Sequence, residues 1–146
     1  MATFLFRTPS SRSASLGLAV LRIGAAAVFI NHGYQKLFGF GLSGVTDAFG
    51  HMGVPMPGVM GPLVAFLEFF GAISLLLGFL TRPLAFLFVC DMLGAILLVQ
   101  LKNGFSHFEL EFLLCVASVA LLLTGAGAYS VDAAIARRGA PATTSV

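Results

Sequence analysis

Charge is what this sequence has least of. Only 10% of its 146 residues are Asp, Glu, Lys or Arg, against roughly 25% in an ordinary soluble domain. A chain of this length cannot coat a water-facing surface with so few charges when 58% of it is hydrophobic, so a soluble globule is excluded. Disorder is excluded by the same imbalance: 15 Phe and a mean hydropathy of +1.00 are the reverse of a low-hydrophobicity, high-charge composition. The net charge of +2 comes from scattered basic residues, and the pI of 8.8 reflects scarce acids, so no basic stripe offers itself to nucleic acid. Cysteine is scarce too. Cys90 and Cys115 lie in apolar runs without CxxC or Cys/His spacing and read as small core residues. No GxSxG, SxxK, HExxH or phosphate loop occurs, and the glycine-rich GFGLSG and GAGAYS stand at span ends, where helices stop. Nucleophilic catalysis has no carrier here.

What the chain does have is four apolar runs, at about 16–37, 59–80, 83–101 and 109–129, each near the ~20 residues a helix needs to cross ~30 Å of hydrocarbon. The expected fold is all-α: a polytopic membrane protein built as a four-transmembrane-helix antiparallel bundle. Its domain would span 16–133, between a polar N-terminal tail at 1–15 and a polar C-terminal tail at 134–146. Arg7 and Arg12 before the first run suggest a secretory signal, but Arg22 interrupts what would be its apolar centre. Pro55 and Pro57 break the one long connection, in which Leu42, Val45, Phe49 and Met52 are spaced as on a short amphipathic helix lying on the membrane. An even number of spans puts Arg7, Arg12, Arg82, Arg137 and Arg138 on one side and leaves Lys36 and Lys102 on the other. The expected orientation is therefore N-in and C-in.

Ionisable residues inside spans carry the information, because a charge at mid-bilayer costs at least ~2.5–3.5 kcal/mol on insertion scales and seeks a partner or a cavity. Arg22, Glu68 and Asp91 are the deep ones. Gly61, Ala65, Glu68 and Ala72 form one stripe of the second span, which turns Glu68 inward. On the fourth span Glu111, Cys115, Ser118 and Leu122 repeat that spacing, so Glu111 faces in and Glu109 out. Asp91 shares its face with Gly94 and Ala95. Arg22, Glu68 and Asp91 are expected to form a buried polar network. It could be an ion-pair device that fixes helix register, or, with one arginine facing two carboxyls, a site that exchanges protons with a bound redox molecule. A second group, His32, Lys36, His107 and Glu111, with His51 from the long loop, would ring an outer pocket. No metal site is expected, because His107, Glu109 and Glu111 do not share a helical face, and haem lacks two histidines at matching depth.

Several segments together resemble the DoxX family of small bacterial inner-membrane proteins. They are Arg22-Ile23-Gly24, Asn31-His32-Gly33 with Lys36-Leu37, Gly53-Val54-Pro55 with Pro57, Glu68 within FLEFFGAISLLLGFLTR, Asp91-Met92 with Ala95, Glu111 before a Leu-rich run, and Gly125-Ala126-Gly127 before Ser130-Val131-Asp132. The likeness covers about residues 17–134, in order and spacing rather than in any one motif, and Ala126 stands where the family's turn usually has proline. It implies a four-helix bundle in the bacterial cytoplasmic membrane and a link to membrane redox chemistry, some relatives being subunits of thiosulfate:quinone oxidoreductase. The expected function is thus a non-catalytic or quinone-linked subunit of a membrane redox system, with quinone as the cofactor in question. The lipid bilayer and a redox-protein partner or homo-oligomer would be its associations. The alternatives are a small proton-coupled permease and a membrane anchor for soluble enzymes.

Overall fold

The computed structural model describes residues 10–139, which are helical almost throughout, with no strand among the described residues. Helix α1, Ser11–Tyr34, starts where the Ser10 hydroxyl accepts the Ser13 N–H at 3.2 Å. It widens into a π-helical stretch, Gln35–Phe40, and leads into α2, Gly41–His51. The short helix expected around Leu42, Val45, Phe49 and Met52 is therefore present, with Val45 buried and α2 packed against the next helix. Helix α3, Pro57–Phe66, a second π-helical stretch, Leu67–Gly71, and α4, Ala72–Leu77, make up the second span. Helix α5, Thr81–Gly94, continues through a third π-helical stretch, Ala95–Gln100. Helix α6 is Glu109–Thr124 and α7 is Val131–Gly139.

Among the described residues three stretches are long and apolar enough to cross a membrane: Ser11–His51, Pro57–Leu77 and Thr81–Asn103. The fourth expected span, 109–129, is cut short. Its helix ends at Thr124 after 16 residues, a rise of about 24 Å, because Gly125 and Gly127 take φ of +80° and +76° and the chain turns. The described part of the expected C-terminal tail is helical in α7, while residues 1–9 and 140–146 of the two tails lie outside the described residues.

The helices close around small residues. Ala26, Ala65, Ala72 and Ala85 are fully buried, and Phe29 of α1 stacks on Phe88 of α5 with ring centroids 4.0 Å apart. α5 and α6 pack along much of their length. α1 meets the second span backbone to backbone: a Cβ on Gly33 would lie 2.7 Å from the Glu68 carbonyl carbon, so only glycine permits this approach. At one end of the bundle the tight turn between α4 and α5 is pinned by Asp132, whose carboxylate accepts the Leu80 and Thr81 N–H groups at 2.9 Å each. Its own N–H donates to the Gly78 carbonyl. Asp132 thereby caps α5 from across the bundle.

Candidate functional site

The expected network of Arg22, Glu68 and Asp91 does not form as a unit. Arg22 is buried at the turn end of the bundle. There one guanidinium nitrogen donates to the Ala126 carbonyl at 2.6 Å and the other to the Tyr129 carbonyl at 2.8 Å. Those carbonyls are released by the glycine turn that ends α6, so Arg22 satisfies groups that a helix would have paired. Its depth along α1 suggested reach toward the carboxyls; the broken helix end supplied nearer acceptors.

Glu68 finds its partner in the group assigned to the outer pocket. It is 4% exposed and forms an ion pair with Lys36, whose ammonium donates to Oε2. Both residues sit on π-helical stretches, Lys36 in Gln35–Phe40 and Glu68 in Leu67–Gly71, and Asp91 stands just before the third, Ala95–Gln100. A π turn shifts side chains out of ordinary helical register and recurs at functional sites. Three of them converge here.

Two adjoining cavities meet at this point. The larger, about 470 Å³, lies between the second and third spans. His32, Lys36, Glu68 and Asp91 supply its polar end, and residues such as Leu63, Leu67, Leu87 and Leu98 its apolar walls. The smaller, about 100 Å³, shares His32, Lys36 and Glu68 and is closed on the far side by Glu111 and Leu114 of α6. The two expected groups thus merge into one, less three members. Arg22 is at the other end, while His107 and His51 are exposed and line neither cavity. The inward turn of Glu111 and outward turn of Glu109 are as the stripe required. Asp91 differs from Glu68 in one respect: its Oδ2 is sealed from solvent and has no hydrogen-bond partner. No group of His, Cys, Asp and Glu suited to holding a metal ion occurs among the described residues.

A short, almost wholly helical membrane protein with a charged cleft between two spans is the class that fold and site define. Within that class, the sequence pattern of the DoxX family matches residues 17–101. The chain belongs to the DoxX family. It is 32% identical over 123 residues to "Putative oxidoreductase CatD" of Bacillus subtilis (strain 168), covering 84% of this chain and 89% of that one. It is 31% identical over 124 residues to inner membrane protein YphA of Escherichia coli (strain K12), covering 79% and 87%. To inner membrane protein YqjF of the same organism it is 38% identical over 122 residues, covering 80% and 90%. No solved structure matches the chain. The protein is a multi-pass protein of the cytoplasmic membrane.

Proposed function

We propose that this protein is a quinone-linked subunit of a membrane redox system, with the cleft between its second and third spans as the quinone site. The observation that carries the reading is the composition of the cleft: Lys36, His32, Glu68 and Asp91 gather in it, and apart from Gln100 and Cys90 the rest of its lining is apolar. A quinone has the matching shape, a ring with two oxygens on an apolar body, and 470 Å³ lies within the roughly 300–1,000 Å³ of small-molecule pockets. Reduction of a quinone takes two electrons and two protons. In this reading a partner redox protein supplies the electrons and the chain's own residues manage the protons. Lys36 and His32 offer donors to a ring oxygen, and Asp91 and Glu68 are carboxyls that exchange protons with it. The name of CatD points the same way for that relative.

The test is purification in mild detergent followed by lipid extraction. Quinone should be retained well above the amount carried by an unrelated membrane protein of similar size. Retention equal to that control removes the quinone and leaves the permease, which proteoliposome uptake under an ion gradient would reveal, and the membrane anchor, which co-purification of a soluble enzyme would.

A further inference from the structure

The hairpin of the second and third spans is closed at one end and splayed at the other. Near its turn α4 packs against α5, but farther out α3 packs against α1 and α2 instead, and the gap this leaves is the 470 Å³ cavity. Its rims, Leu63, Leu87 and Leu98, are about half exposed, on a surface that acyl chains cover in a bilayer. Toward the loop the cavity is walled by Met52 and Val54. Its inner end is lined by Asp91, whose Oδ2 is buried without a donor, beside a Lys36–Glu68 pair whose charges already answer each other. An unsatisfied buried acceptor costs free energy until something donates to it.

From this arrangement we infer that the cleft is entered sideways from the lipid, between the second and third spans, by a long-tailed amphiphile whose polar head is received at Asp91. The inference rests on the proposed function only in taking the ligand to be dissolved in the membrane. The tail stays between Leu63 and Leu98 with its end among the acyl chains. The head displaces no existing ion pair, which makes Asp91, and not Glu68, the residue that selects it.

The sequence contains no Trp, so a single introduced Trp is a site-specific reporter. Leu98→Trp stands at the proposed mouth, and Leu123→Trp, on the exposed face of α6, is the control. In nanodiscs, 2-bromo-4-decylphenol, whose hydroxyl can donate to Asp91 and whose bromine quenches indole fluorescence, should quench Leu98→Trp saturably and Leu123→Trp only in linear proportion to its concentration. Adding Asp91→Leu should raise the half-saturating concentration at least tenfold, as expected for loss of about 1.5–3 kcal/mol from a hydrogen bond to a charged group. Ala95→Leu fills the cavity without touching a charge and should abolish saturable quenching, so it carries the test where Asp91→Leu does not fold. Linear quenching at both reporters, or saturation indifferent to both substitutions, overturns the inference. The competitor 4-decylphenol separates it from the quinone reading. Saturable quenching displaced by this redox-inert amphiphile, in a protein that retains no quinone, upholds lateral entry and defeats the quinone, whereas retained quinone with linear quenching at Leu98→Trp does the reverse.

Discussion

Lys36 and Glu68 reach each other from two helices with side chains 19% and 5% exposed, and the cost of breaking so buried a pair exceeds its net worth. Glu68→Gln leaves the ammonium without a counter-charge and Lys36→Met leaves the carboxylate. Lys36→Met, which strands the buried carboxylate, should lose about 3–5 kcal/mol and Glu68→Gln less, because the ammonium is partly exposed, while the double variant recovers most of the loss. Thermal melting in mild detergent measures this, and Glu109→Gln, on an exposed residue, should leave melting unchanged. Arg22→Ala should also destabilise, because the Ala126 and Tyr129 carbonyls lose charged donors. Arg22 shares no partner with Glu68, so the effects of Arg22→Ala and Glu68→Gln should add within about 0.5 kcal/mol. Strong coupling between them would restore the network that the geometry denies. The inward turn of Glu68 was legible in its stripe with Gly61, Ala65 and Ala72, and the opposed turns of Glu109 and Glu111 were equally so. The partner of Glu68 was not: rise per residue assumes one regular helix, and the π-helical stretches around Lys36 and Glu68 change the register on both sides of the pair.

At the level of elements, the site depends on a contact between backbones. Gly33→Ala would drive a methyl into the Glu68–Phe69 peptide, where no flexible side chain can yield. It should cost about 1–3 kcal/mol, as overpacking does, and shift α1 away from the carboxyl; Gly24→Ala, with open space around it, is the matched control. Detergent melts of the two variants should therefore diverge, and equal melts would mean that the close approach is not needed. Asp132→Ala removes the cap that α5 receives from beyond α6 and should cost about 1 kcal/mol. Helix existence and type were readable from apolar periodicity, including α2. The caps were not, since Asp132 lies some fifty residues from the N–H groups it accepts and no local signature marks a long-range cap. The early end of α6 was half-legible. Gly125 and Gly127 stood in view, but the apolar run continued past them, and Arg22 holding the released carbonyls is a tertiary fact.

For the molecule as a whole, the two ends of the bundle differ in charge, and that difference sets their sides of the membrane. The turn that carries Arg82, the start of α7 and the start of α1 all meet at one end: Asp132 is bonded to Leu80 and Thr81, and Gly127 lies against Ser15 and Leu18. That end holds Arg12, Arg82, Arg137 and Arg138, whereas Lys36 and Lys102 belong to the other, and arginine and lysine favour the cytoplasmic side. On the four-span expectation helix α6 brings the chain back across, although its rise of about 24 Å is less than the ~30 Å of an average hydrocarbon core. Local thinning of the bilayer or polar side chains reaching to the interface can absorb a mismatch of that size at modest cost. Reporters fused after Arg82 and after Arg138 should accordingly both read as cytoplasmic, and one placed between Ser43 and Gly50 as external. If the Arg138 fusion reads opposite to the Arg82 fusion, α6 does not cross and the bundle has three spans. If the Ser43–Gly50 reporter reads as cytoplasmic, the orientation is inverted, and the charged end of the cleft faces the cytoplasmic half of the bilayer.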